Sequence, residues 1–171
     1  MSRVKSIRML KNVSSRYVLK HFFRFLLMMI FDFEPWALGT ERDYVIGIRA
    51  HLNSLPNISQ LSALELGSGM GDIIRYIDCS EKMVTDRHKG LLRSNRILSW
   101  FFNVGGKPKY RSFFFGKDDM VGRYDIIIVT NFCQGIPLET LRENIASLFE
   151  NNLMTDGRII IDECLGGRYY H

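Results

Sequence analysis

Three glycines at alternate positions, Gly67, Gly69 and Gly71, stand in the run Ala63-Leu64-Glu65-Leu66-Gly67-Ser68-Gly69-Met70-Gly71-Asp72. The run opens with small and apolar residues, as a buried parallel strand does, and continues into Ile73-Ile74-Arg75-Tyr76-Ile77, which reads as the first turns of a helix. Between a strand and a helix, a glycine turn lets backbone N–H groups approach a bound ligand, because no Cβ intervenes and positive φ costs little. A dinucleotide turn would need G-x-G-x-x-G. Here Asp72 holds the place of its third glycine and Gly71 comes one residue early. Glu65, two residues before Gly67, puts a carboxylate beside the loop. Asp86 follows about 20 residues later, at the end of a strand pattern, where a carboxylate accepts the two hydroxyls of a ribose or caps the next helix. Cys79, Cys133 and Cys164 have no C-x-x-C spacing and the four histidines are scattered, so no metal site is expected. Unpaired cysteine spacing points to a reducing, cytoplasmic compartment.

The elements that must hold these residues follow from alternating strand and helix patterns, which imply a parallel sheet with right-handed crossovers and helices on both faces. The strands are expected at Ser62–Leu66, at Lys82–Thr85 ending in Asp86, at Tyr110–Phe115, at Tyr124–Thr130 and at Arg158–Asp162. Helices are expected over Asp72–Cys79, Gly90–Asn103 and Leu138–Glu150, with a turn at Leu153–Gly157. Tyr124–Thr130 is nearly all apolar and so reads as buried on both faces. Ahead of the sheet, Ser15–Phe31 is a helix with Arg16, Lys20 and Arg24 on one face and Leu19, Phe22 and Leu26 opposite. Its packing on the domain is favoured over a place on a membrane surface, and its apolar run is shorter than the roughly 20 residues a bilayer span needs. A second helix starts near Thr40-Glu41-Arg42-Asp43 and runs to about Leu55. The division expected is 1–57, a basic and aromatic helical segment, and 58–171, a ligand-binding Rossmann-like domain.

Glu-x-Gly-x-Gly-x-Gly resembles motif I of the class I S-adenosylmethionine (SAM) methyltransferases. That resemblance implies SAM as cofactor, held by Glu65, Gly67, Ser68, Gly69 and Gly71, with the acid near the ammonium group and Asp86 on the ribose. A ligand with a sulfonium and an ammonium but no pyrophosphate makes a carboxylate at the loop useful. Asp118, with Asp119 in reserve, takes the place of the family's polar residue near adenine; a solvated acidic turn is the other reading. Tyr124–Asn131 resembles motif IV, whose end meets the transferred methyl, and puts Asn131 at the cofactor. Leu153–Asp162 resembles the entry to the family's fifth strand, with Asp156 replacing a glycine. Trp36 and Tyr44 are ring candidates near the ligand, or plain core residues. The marks cover about Leu61 to Glu163. The family's frequent His or aromatic just past strand four is absent from Asn131-Phe132-Cys133-Gln134-Gly135, and the chain stops soon after strand five, where the family continues with a helix and an antiparallel strand pair. A sheet shortened after strand five is therefore expected, with an open edge through which a homodimer would form.

The implied reaction is methyl transfer to a hydroxyl, with Asp162, Glu163 and His171 as candidate bases near the strand ends. Among these, Asp162 and His171 are assigned the catalytic role, although Asp162 could equally cap a turn. Cys133 reads as a small core residue. The run Phe31-Asp32-Phe33-Glu34-Pro35-Trp36, with Glu41-Arg42 after it, is loosely similar to small methyltransferases of cell-surface polysaccharide biosynthesis, which turns the expected acceptor toward a sugar or other small molecule. An inactive SAM-binding partner protein and a different Rossmann-like nucleotide binder remain open alternatives. An apolar fraction of 46%, with twelve Phe and seven Tyr, supports one sizeable core in 171 residues. The net charge is +5, and Arg3, Lys5, Arg8, Lys11, Arg16, Lys20 and Arg24 stand in the first 24 residues with no acid among them. That asymmetry suits an anionic contact, a membrane surface or an acidic glycan, or else a solvated helix face. Nucleic acid is not expected as a partner.

Overall fold

The structure, a computed structural model, describes residues 15–38, 42–130 and 136–161. Five parallel strands form one sheet in the order β3-β2-β1-β4-β5. They are β1 (Ser62–Leu66), β2 (Glu81–Asp86), β3 (Pro108–Ser112), β4 (Tyr124–Val129) and β5 (Leu153–Ile161). In β4 the successive residues Ile126, Ile127, Ile128 and Val129 are all 0% exposed, which requires cover on both faces of the sheet. The helices are α1 (Ser15–Phe31), α2 (Asp43–Asn53), α3 (Lys89–Phe102) and α4 (Leu138–Ser147), the last continued by a π-helical turn at Leu148–Asn152.

One face of the sheet presents Ala63, Val84, Ile126 and Ile128 to Val45 and Leu52 of α2 and Leu92 of α3. The other presents Leu64, Leu66, Ile127 and Val129 to Leu148 and Leu153, with Ile145 of α4 packed alongside. Helix α1 lies outermost, with Leu27 in a cluster with Leu91 and Leu98 of α3, Met70 and Phe33. The core therefore runs across residue 57, because α2 shares one apolar cluster with the sheet. Among the described residues no helix is long and apolar enough to cross a membrane.

Three elements differ from the sequence reading. In place of a helix over Asp72–Cys79 there is a single 3-10 turn, Ile74–Tyr76. After the glycine turn the chain must travel back the length of β1 to begin β2. The fourteen residues from Gly67 to Ser80 make that return without an α-helix. Ile73, Ile74 and Ile77 are buried against α2, which supplies the missing cover. Strand β3 begins two residues earlier than expected, with Pro108 entering an edge strand, and Phe113–Phe115 leave the sheet. Strand β5 already starts at Leu153, where a turn was expected. Tyr124 pairs with Leu153 and Ile126 with Arg158, so β5 spends five residues where β4 spends two, and the expected turn is a bulge within the strand.

Candidate cofactor cleft

Chain order places β1 between β2 and β4, and the path reverses there: it steps outward through β2 and β3, then returns to β4. In open parallel sheets the crevice at the carboxyl ends of the strands at such a reversal is where ligands bind. A cleft of about 1250 Å³ opens at that point, lined by Glu65, Gly67, Ser68, Gly69, Asp86 and Thr130 among others.

Gly67, Gly69 and Gly71 have φ of 62°, 53° and 73°, the left-handed region that side chains disfavour. Two of them have a further reason to be glycine. A Cβ on Gly71 would lie 2.4 Å from the Asn95 amide of α3, while a Cβ on Gly69 would meet nothing within 4 Å and would project into open space. The turn is laced to β2: Ser68 N–H donates to the Thr85 carbonyl at 2.9 Å, Gly71 N–H to the Ser68 carbonyl at 2.8 Å. The Thr85 hydroxyl donates to the Glu65 carbonyl at 2.9 Å.

Asp86 ends β2 with its carboxylate turned to the loop. One oxygen accepts the Gly69 N–H and the other the His88 N–H, each at 2.8 Å. Burial raises its pKa, and the His88 and Gly69 N–H groups oppose that rise. Asp86 thus holds the glycine turn as well as facing the cleft, and a carboxylate retains further acceptor sites for a ligand.

Glu65 is 3% exposed at the cleft floor. Ile74 N–H donates to its Oε2 at 3.3 Å. Burial pushes its carboxyl up from 4.5 to about 8; the Ile74 N–H opposes this, Asp72 adds to it, and Arg75 and Arg49 act the other way. A cation brought to the cleft floor would restore the ionised form.

Asp72, the residue that excluded a dinucleotide turn, anchors the loop to the N-terminal helices. Arg24 of α1, 0% exposed, donates from Nη1 and Nη2 to the two Asp72 oxygens at 2.6 and 2.9 Å, and from Nη2 to the Ala37 carbonyl at 2.9 Å. Arg49 of α2 donates to the Asp72 carbonyl and lays its guanidinium 4.2 Å from the centre of the Tyr76 ring, with Lys20 of α1 at 5.1 Å from the same ring. Arg24 and Lys20 of α1 thus both face the segment after the glycine turn, with Arg24 buried beside Leu27. Asp32, at φ 49°, turns the chain out of α1, and Asp32–Pro35 then line the cleft rim.

Of the residues expected at a site, Glu65, Gly67, Ser68, Gly69 and Asp86 line one cleft, with Gly71 in the same turn. Tyr44 lines it too. Asp118 holds the turn after β3, accepting the Phe114 N–H at 2.6 Å, while its neighbour Lys117 is the residue that reaches the cleft. Asn131, Cys133, Asp162, Glu163 and His171, and the side chain of Trp36, lie outside the described residues. Thr130, Phe113, Phe115 and the Arg24–Asp72 pair went unnoticed in the sequence; the acid in the third-glycine place was the available sign of the last. Burial pushes the Cys79 thiol up to about 11, which leaves it unreactive.

No family model matches the chain and no curated protein matches it in sequence. Solved structures do. Magnesium protoporphyrin IX methyltransferase from Synechocystis, crystallised with SAM, is 18% identical with a TM-score of 0.59 over 69% of this chain and 56% of that one. Phosphoethanolamine N-methyltransferase 1 from Haemonchus contortus, in complex with phosphoethanolamine and S-adenosylhomocysteine, is 17% identical with a TM-score of 0.61 over 83% and 31%. A SAM-dependent methyltransferase from Clostridium acetobutylicum is 17% identical with a TM-score of 0.54 over 70% and 47%. The chain spans little more than half the length of the first of these and less of the other two. With its five parallel strands in this order and its cleft at the β1–β4 reversal, the chain has the Rossmann-like fold of the SAM-dependent methyltransferases.

Proposed function

We propose that this chain is a SAM-dependent methyltransferase that binds SAM in the cleft and methylates a hydroxyl of a small acceptor. A sugar is the acceptor class favoured by the loose resemblance of the Phe31–Trp36 stretch, and the cytoplasm is the compartment favoured by the cysteine spacing. The observation that carries the reading is the convergence of Glu65, the three positive-φ glycines and Asp86 at the one reversal of a sheet whose solved likenesses include SAM complexes. The residues fit the ligand. The Ser68 hydroxyl is buried at the cleft and takes no hydrogen-bond partner among the described residues, and space opens where a Gly69 side chain would begin.

Bound SAM supplies a methyl carbon already activated by its sulfonium. Asp86 holds the ribose hydroxyls with its remaining acceptor sites while it fixes the loop through Gly69 and His88. Glu65, ionised by the incoming ammonium, receives that group at the cleft floor. The Ser68 hydroxyl would be free to bind the ligand, and the open space at Gly69 would let it approach the loop closely enough to be oriented for the acceptor. The acceptor hydroxyl would have to give up its proton to a base, for which Asp162 and His171 are the candidates.

Calorimetric titration with SAM, NAD and ATP tests the reading, followed by turnover to S-adenosylhomocysteine with glycan acceptors. SAM should bind and the other two should not. Asp86→Ala should weaken SAM about 10- to 100-fold. A 2′-deoxy analogue of SAM should bind the parent more weakly than SAM does, and weaken the variant little further. Preference for NAD or ATP overturns the cofactor, and SAM binding without turnover on any acceptor overturns the enzyme.

A further inference from the structure

We infer that α1 and the end of α3 form a docking surface for an anionic lipid bilayer. Helix α1 buries Arg24 and Leu27 and leaves a broad apolar face in solvent: Leu19, Phe22, Phe25, Leu26, Met29 and Ile30 are all exposed, Leu19 and Ile30 by 67% and 68%. Phe101 of α3 stands edge-on to Phe23 of α1 with ring centres 5.9 Å apart, which joins the aromatic end of α3 to this face. Trp100, beside it, is 79% exposed and Phe101 66%. Soluble monomers rarely leave a contiguous apolar patch of this kind uncovered.

Charge identifies the occupant. Neither helix contains an acid. Lys89, Arg93 and Arg96 are exposed and recur along α3 at helical spacing with Trp100, so they form one stripe that ends in an indole. The sequence adds Arg3, Lys5, Arg8 and Lys11 ahead of α1, again without an acid. Apolar side chains bordered by cations, with Trp at the border, match the acyl and headgroup layers of an anionic leaflet. A second copy of the chain fits worse, because a two-fold pairing of this face on itself would set cations against cations. The helix is about 25 Å long by its 1.5 Å rise per residue, so it lies along the surface and does not cross it. Its end leads directly into Asp32–Pro35 at the cleft rim, which places the mouth of the cleft beside the headgroups.

Flotation of the full chain with phosphatidylcholine vesicles, with and without phosphatidylglycerol, tests this. Binding should appear with the anionic vesicles and weaken as salt is raised. The pair Phe22→Glu and Met29→Glu should bind at least about ten-fold more weakly, and Arg93→Glu several-fold more weakly. All should keep the parent's thermal midpoint, since the side chains are exposed; if the Glu pair unfolds, Phe22→Ser with Met29→Ser carries the same expectation. Absence of flotation with anionic vesicles, or flotation that these variants leave unchanged, overturns the proposal. So does a dimer in light scattering that the same variants dissociate in a chain that ignores vesicles, which would make a second copy the occupant.

Discussion

Helices α1 and α3 pack against one another, both are cationic and both lack acids, yet they are turned in opposite senses. Helix α3 buries Leu91, Leu92 and Leu98 and leaves Lys89, Arg93 and Arg96 in solvent, the usual solution for an amphipathic helix. Helix α1 buries Arg24 beside Leu27 and leaves Leu19 and Ile30 outside. The difference lies in what each meets. Helix α3 lies on the sheet, which offers it apolar side chains and the Tyr110 hydroxyl, donated to Ser99 at 2.8 Å. Helix α1 arrives over the glycine turn, where Asp72 presents a carboxylate and Tyr76 a ring face. A buried guanidinium held bidentately there replaces its water with two charge-assisted hydrogen bonds and a carbonyl. Both helices end up gripping the same loop, α1 by charge at Asp72 and α3 by the close approach of Asn95 to Gly71.

Breaking the charged grip should have the largest effect. Asp72→Asn leaves Arg24 buried without its counter-ion and should cost about 3–5 kcal/mol in denaturant unfolding. The pair Arg24→Met with Asp72→Leu should recover most of that loss, because well-packed apolar replacements are often neutral. A double variant as unstable as the single one would mean that the charges themselves hold α1 in place. The facing of the helices is tested by leucine truncation. Leu98→Ala, at a residue 0% exposed on α3, should cost about 2–5 kcal/mol. Leu19→Ala on α1 should stay within about 0.5 kcal/mol. Equal costs would mean that the outer face of α1 is covered in solution.

A pH dependence sharpens the contrast at a buried acid that lacks a bidentate cation. Burial holds Glu65 at about 8 against an ordinary 4.5, so the folded chain keeps a proton that the unfolded chain has released. Stability should therefore fall as pH rises from 4.5 to about 8 and level off above, and Glu65→Gln should flatten that slope. SAM affinity should move the other way, since its ammonium favours the ionised form: up to about ten-fold per pH unit over the same window. Calorimetry in buffers of different ionisation heat would report the proton released. Affinity that is flat with pH would remove Glu65 from the ammonium.

Much of this architecture was legible in local pattern. The bounds of α1 and β1 and the buried run of β4 follow from periodicity and propensity, and the loop residues with Asp86 follow from spacing. What stayed hidden depends on partners far along the chain. The stripe of α1 shows that it has two faces but not which one turns inward, because Asp72, which decides it, lies 48 residues away. Ile73, Ile74 and Ile77 have helical spacing, yet the segment forms a single 3-10 turn buried against α2. The turn expected at Leu153–Gly157 has turn composition, and pairing with β4 turns it into a bulge. Asp118 carries the acid that the cleft pattern asks for, but the short turn after β3 uses it locally.

The brief link between β1 and β2 also sets an order of events at the ribosome. Since no helix forms there, Ile73, Ile74 and Ile77 rely on α2, a segment that leaves the exit tunnel before any strand does. At about 5–20 residues per second, α1 and α2 wait for seconds with apolar surface in hand until β4 completes the layer they cover. The outer face of α1 has no such wait, so on the proposed docking a nascent chain would reach a bilayer before it has finished its sheet.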